Sequence, residues 1–230
     1  VGEAGSIAGM VTAVLDGDAS LRRRPVARII EPLRAMGATL RALADDSLPP
    51  LTVTGHRTLR PIDWTTPVPS AQVKSAILFA GLRAGGITRV RERVATRDHT
   101  ERMLRARGVG VRSLSDGEGG AVIEIEGGTT VQAMEERVPG DPSAAAFWLV
   151  AGLIHPDAEL VIRSGGVNPT RRAVIDLLAR MGGRIEERPV AGVTAGGEEA
   201  GVGEPLADLV VGSSDLRAID IAPAEVAAAI

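Results

Sequence analysis

At 230 residues the chain can bury a sizeable core as one large domain or two small ones. It has no cysteine, only three scattered histidines and no apolar run near the ~18 residues that span a bilayer, which argues against disulfides, thiolate chemistry, a transition-metal site and a membrane helix. The net charge of −3 conceals an asymmetry, with 18 basic and 10 acidic side chains in residues 1–112 but 8 and 19 in residues 113–230. A basic half suits small anions or nucleic acid. Trp64, Phe79, Phe147 and Trp148 offer no regular platform for stacking bases, so small anions are favoured and an arginine-rich nucleic-acid-binding module is the alternative. With no leader in the sequence, a cytoplasmic, cofactor-free protein is expected.

Along the chain, Leu21-Arg22-Arg23-Arg24-Pro25 is a cationic loop opening a helix, with Pro25 in its first turn. Three like charges in a row cannot all converge on one site. Val26, Ile29, Ile30 and Leu33 give the helix an apolar stripe and Gly37 ends it. Leu51-Thr52-Val53-Thr54 reads as a strand. Pro69-Ser70-Ala71-Gln72 then opens a helix whose Ser75–Leu82 stretch is apolar nearly all round; Lys74, the sole lysine, lies inside it. Ser70 is a candidate N-cap, and the first-turn N–H groups there can hold an anion together with Gln72.

Ile87–Val90 is the next strand, and Arg97-Asp98-His99-Thr100 opens a helix that ends at Gly108. Arg97 has the planar fork for an oxyanion, with pairing to Asp98 or Glu101 as the purely structural reading. His99 reads as a first-turn residue rather than a general base. After the strand Val122–Ile125, Pro139-Gly140-Asp141-Pro142 marks a boundary that divides residues 1–139 from 140–230. A second all-apolar helix follows at Ala144–Ala151, then the strand Leu160–Ile162. Asn168 is read as an N-cap with Pro169 at the first helical position, before the stripe Val174, Ile175, Leu178, Met181. Gly192 to Pro205 reads as an exposed hairpin loop.

Laid out this way, one pattern recurs three times at a spacing of about seventy-three residues: a polar loop, a helix, then a glycine feeding a strand. Helices apolar on every face belong inside a protein, so helices packed together beneath outer sheets are expected, the reverse of a doubly wound fold. No strand leads into a Gly-x-Gly-x-x-Gly turn, which disfavours a dinucleotide site.

Four segments, in order and at the right spacing, carry a resemblance: Gly17–Pro25, Val68–Ala76, Thr96–Glu101 and Pro139–Ser143. Together they closely resemble the 5-enolpyruvylshikimate-3-phosphate synthase family, and Ser70-Ala71-Gln72 looks like its class II, glyphosate-tolerant type. The resemblance implies an α+β fold of six βαβαββ units, an inside-out α/β barrel, with about three units present here. Residues 1–139 would then belong to the shikimate-3-phosphate domain and 140–230 to one unit of the second domain. It also implies transfer of the carboxyvinyl group of phosphoenolpyruvate to shikimate-3-phosphate without metal or cofactor.

By position, Ser70, Ala71, Gln72 and Arg97 would bind shikimate-3-phosphate, while Arg24 and Gln72 would hold phosphoenolpyruvate or glyphosate. The sister family of UDP-N-acetylglucosamine enolpyruvyl transferases commonly uses a cysteine, and this chain has none. The synthase family's Lys-Ser-x-x-x-Arg segment has no counterpart, and its Gly-Asn-x-Gly-Thr loop has only an echo in Gly2–Ser6. The family's catalytic Asp follows the segment matching Ala227–Ile230. No catalytic residue is therefore assigned, and a partial chain that binds substrate with little turnover is expected. The oppositely charged halves leave self-association open, with no membrane or nucleic-acid partner.

Overall fold

Three sheets repeat one connectivity. The computed structural model describes residues 4–7, 10–55, 58–190, 202–222 and 225; Gly2, Glu3, Ala227–Ile230 and most of the Gly192–Pro205 stretch lie outside them. The first sheet, ordered β1-β2-β4-β3, is built from β1 (Ala4–Ile7), β2 (Met10–Leu15), β3 (Thr39–Ala42) and β4 (Leu48–Thr54). A 3-10 turn at Leu21–Arg23, helix α1 (Ala27–Ala35) and the short α2 (Leu43–Asp46) connect its strands.

The second sheet, β5-β6-β8-β7, contains β5 (Asp63–Thr65), β6 (Ile87–Glu92), β7 (Val111–Ser115) and β8 (Ala121–Glu126), with α3 (Ala71–Gly81) and α4 (His99–Ala106) between them in sequence. The third, β10-β11-β9, has β9 (Glu159–Gly166), β10 (Arg184–Pro189) and β11 (Leu206–Gly212), with α5 (Pro142–Ile154) and α6 (Ala173–Arg180). In each copy a strand leads through a helix to an edge strand, and the last strand inserts antiparallel between the two: β2-β4-β3, β6-β8-β7, β9-β11-β10. The second copy is a complete βαβαββ unit whose β5 and β6 run parallel across α3. In the third, a single parallel bridge from Gly140 to Gly165 stands where that opening strand would be. The chain is thus α+β with repeated units, as the sequence period requires.

The recurrent glycine has a backbone reason. Gly37, Gly108 and Gly182 follow α1, α4 and α6 at φ +95°, +77° and +95°, where a Cβ is disfavoured. The conformation turns the chain from helix into β3, β7 and β10.

By contacts the chain forms two units, one comprising Val1–Thr96 with Gly108–Val131 and the other Arg97–Arg107 with Gln132–Ile230. The division does not follow chain order, because the segment carrying Arg97 and α4 groups with the later residues, and it falls apart from the 139/140 boundary read from sequence. In unit 1, Ile30, Leu40 and Leu51 form a core joined by Val26, Ile29 and Leu33, so the α1 stripe packs as its spacing predicts. Helix α3 lies on β6 and β8, burying Ile77 and Leu78, with Val90, Ile123 and Ile125 buried on the strands. Gly81 faces that sheet; a Cβ there would stand 2.9 Å from Ile125 Cγ2. In unit 2, Leu149 and Leu153 of α5 pack with Ile175, Leu178, Leu209 and Val211, joined by Val174 and Met181.

Three local expectations need correction. Helix α1 starts at Ala27 after Val26, so Pro25 precedes the helix rather than standing in its first turn. Asn168 does not cap α6, which starts at Ala173; Pro169–Arg171 form a turn, and Asn168 Oδ1 accepts from Thr170 N at 2.8 Å. Its amide nitrogen is committed to tertiary partners, and the helix starts where that turn ends. Helix α5 is also not buried all round: Phe147 and Trp148 are 80% and 63% exposed, and Val150 and Ile154 share that exposure. Among the described residues the helix is covered on the side toward β9, β11 and α6.

Candidate functional site

In unit 1 the site is built on the start of α3. Ser70 has extended backbone and its Oγ accepts from Val73 N at 3.4 Å, so it is the N-cap read from sequence. The remaining first-turn N–H groups have no intrahelical acceptor, which is what suits a helix start to an anion. Ser70 is buried, Ala71 half-buried and Gln72 exposed. Gln72 Oε1 accepts from the Arg28 guanidinium, so its Nε2 donor is what the amide retains for a ligand.

Arg28 was not singled out by sequence reasoning, although it lies one helical turn beyond Arg24. Arg24 is exposed and ends the 3-10 turn, its N–H donating to Leu21 O at 3.0 Å. Of the three consecutive arginines, Arg22 is paired with Asp16, Nε to Oδ1 at 2.8 Å.

Beneath α3 lies a buried ion pair. Strand β6 alternates, turning Thr88, Val90 and Glu92 inward and leaving Ile87 and Arg91 exposed, so the period of two carries a carboxylate into the core. Lys74 answers it: Nζ stands 2.9 Å from Glu92 Oε2 and donates to Thr96 O at 3.3 Å, with both charged side chains 1% exposed. Glu92 also accepts from Thr96 N at 3.3 Å and from Thr96 Oγ1. The pair fastens α3 to β6 and fixes Thr96, the last residue before Arg97.

In unit 2 the helix-opening loops of the second and third copies meet. Asn168, 2% exposed, donates through Nδ2 to Asp98 Oδ1 at 2.8 Å and to Glu204 Oε2 at 3.1 Å. Thr170 Oγ1, with one proton to give, lies 3.2 Å from Asp98 Oδ1 and 2.7 Å from Asn168 Oδ1. Asp98 pairs with Arg102 one turn on, at 2.8 Å, and His99 Nδ1 lies 2.8 Å from Glu204 Oε1.

Burial alone would raise the Asp98 pKa, but the Asn168 hydrogen bond, the Arg102 charge and hydrogen bond and the Thr170 hydroxyl outweigh it and hold the carboxyl below its ordinary value. Asp98 stands at the N-cap of α4 without capping it, because its oxygens serve these partners. Arg97, immediately before it, is exposed. At the start of α5, Asp141 accepts from Ser143 N at 2.9 Å, and Ser143 Oγ accepts from the Arg171 guanidinium.

Arg24, Ser70, Ala71 and Gln72 thus belong to unit 1 and Arg97 to unit 2. Sequence reasoning missed Arg28, Glu92, Asn168 as a tertiary donor, and Arg171. The last was visible as the counterpart of Arg97 one repeat later. Among the described residues no group of three or more His, Asp and Glu side chains is placed to hold a metal ion, and no helix is long and apolar enough to cross a membrane. The chemistry offered is donor-rich: helix-start amides, a glutamine amide and guanidinium forks, a set suited to phosphate and carboxylate groups.

Three copies of one connectivity, one of them a complete βαβαββ unit, thus carry such donors at their helix starts. A family model described as EPSP synthase (3-phosphoshikimate 1-carboxyvinyltransferase) matches residues 2–223. The chain is 48% identical over 213 residues to the 3-phosphoshikimate 1-carboxyvinyltransferase of Zymomonas mobilis, covering 93% of this chain and 45% of that protein. It is 49% identical over 207 residues to the same enzyme of Gloeobacter violaceus, with 90% and 45% covered. The solved EPSP synthase of Acinetobacter baumannii superposes with a TM-score of 0.79 at 40% identity, covering 95% of this chain and 46% of that one. The chain belongs to the EPSP synthase family. It spans about half the length of the relatives it matches.

Proposed function

We propose that the chain is the shikimate-3-phosphate-binding part of a 5-enolpyruvylshikimate-3-phosphate synthase. In the whole reaction the 5-hydroxyl oxygen of shikimate-3-phosphate bonds to C2 of phosphoenolpyruvate and inorganic phosphate leaves, so the carboxyvinyl group is transferred. On this reading Ser70, the Ala71 backbone, Gln72 and Arg97 bind shikimate-3-phosphate, and Arg24 with Gln72 receives phosphoenolpyruvate or glyphosate in its place. Residues 1–139 are then part of the substrate domain and 140–230 one unit of the second.

The observation that supports the reading most is the start of α3, where Ser70 caps the helix and the Gln72 amide is oriented by Arg28. The motifs identified supply binding residues and no acid–base pair, so turnover by the chain alone is expected to be small.

A titration of the isotope-labelled chain with shikimate-3-phosphate tests this. Amide resonances of Ser70, Ala71 and Gln72 should shift together and saturate. Ser70→Ala should weaken binding by roughly tenfold, the value of a hydrogen bond to a charged group. Absence of any shift at these residues at millimolar ligand refutes the assignment.

A further inference from the structure

Arg97 and Arg171 occupy the same slot of the repeat. Arg97 directly precedes Asp98, the N-cap position of α4, and Arg171 directly precedes Arg172, the N-cap position of α6. The residues that follow Arg97 and precede Arg171 are bonded to one another: Asp98 N donates to Thr170 Oγ1 at 3.4 Å, and that hydroxyl lies 3.2 Å from Asp98 Oδ1. Asn168, buried, reinforces the junction through Asp98. Two guanidinium-bearing positions are therefore clamped side by side within unit 2.

Partial burial lowers the Arg171 pKa, the positive charge of Arg97 lowers it further, and Asp141 only partly offsets them. Like charges brought together, with Arg171 half-buried and Arg97 exposed, are unfavourable by themselves and become favourable when an anion lies between them. The Arg171 guanidinium is steadied by Ser143 Oγ at the opening of α5.

We propose that Arg171 is a second anion-binding residue, gripping with Arg97 a single phosphate or carboxylate group of the substrate. The proposal rests on the reading of Arg97 as a shikimate-3-phosphate ligand and adds a residue that the motif resemblance does not assign.

The test uses the full chain with arginine Nε–Hε resonances assigned, titrated with shikimate-3-phosphate, shikimate and inorganic phosphate, alongside Arg97→Gln, Arg171→Gln and Arg172→Gln. Arg172 pairs with Glu187 and Asp176 and serves as the control. Shikimate-3-phosphate should move the Arg97 and Arg171 resonances together. Either glutamine variant should weaken binding by roughly tenfold to a hundredfold, with Arg172→Gln within twofold of the parent. Shikimate alone moving both side chains identifies the carboxylate as the shared group; inorganic phosphate alone doing so identifies the phosphate. Arg171→Gln binding like the parent while Arg97→Gln does not overturns the proposal. Failure of the parent chain to bind shikimate-3-phosphate would instead overturn the broader reading, and inorganic phosphate then decides for the pair. Joint movement of both arginines with phosphate sustains it, and movement of one or neither ends it.

Discussion

Replacing Lys74 by Met removes one partner of the buried pair and leaves Glu92 facing the interior. Breaking a buried ion pair in this way typically destabilises by about 3–5 kcal/mol, because the remaining charge has lost its counterion but not its burial. Here Thr96 N and Oγ1 still donate to Glu92, which places the expectation near the lower end, at ~3 kcal/mol. Adding Glu92→Gln to Lys74→Met removes the stranded charge while keeping an acceptor for Thr96. The double variant should recover to within ~1 kcal/mol of the parent.

The chain has two units and need not unfold in one step, so native-state hydrogen exchange is the suitable assay. Amides of Ile77 and Val90 should lose protection in Lys74→Met and regain it in the double variant. The amide of Leu209, in unit 2, should change little. A Lys74→Met protein within ~1 kcal/mol of the parent at Ile77 and Val90, or a double variant worse than the single, would refute the account of the pair.

Two further outcomes follow from the geometry. Gly182→Ala places a Cβ at φ +95°, with its nearest non-local neighbour, Asp215 O, 3.4 Å away, so the loss is conformational rather than steric; denaturant unfolding should show a loss of ~1–2 kcal/mol. Asp98 is held below its ordinary value of 3.8, so its contribution to stability is fully present above that value and is lost as pH falls through the depressed folded value. Acid titration of unit 2 by hydrogen exchange should show this loss, and Asp98→Asn should flatten it. An unchanged acid limb in the variant would count against the Asn168–Asp98–Arg102 network.

The parts legible in the sequence are those set by local physics. Positive-φ glycines, apolar stripes at helical spacing and a serine cap depend on neighbours within a turn or two, and Gly37, Ile30 and Ser70 behave accordingly. Residues recruited by distant partners were not legible. Asn168 has the composition of a cap, yet its amide serves Asp98 seventy residues earlier. Strand β10, Arg184-Ile185-Glu186-Glu187-Arg188-Pro189, shows almost no alternation; one apolar side chain, Ile185, joins the core while Arg188–Glu186 and Arg172–Glu187 pairs satisfy the charges. The inward Glu92 is visible only once β6 is fixed in register with β8. In the site, helix starts were readable while the partners that orient them, Arg28 and Thr170, were not.

The placement of each copy's final strand at the centre of its sheet has a consequence for how the molecule can be divided. β2 and β3, β6 and β7, and β9 and β10 share no direct edge; each pair is joined only when β4, β8 or β11 arrives between them. A chain cut inside a copy keeps two ribbons that have lost their common neighbour, whereas a cut after β4 or β8 leaves a finished sheet behind it. Each sheet is therefore complete only at the end of its period, yet the second copy cannot be cleanly parted from the third, because α4 and Asp98 belong with Asn168 and Thr170.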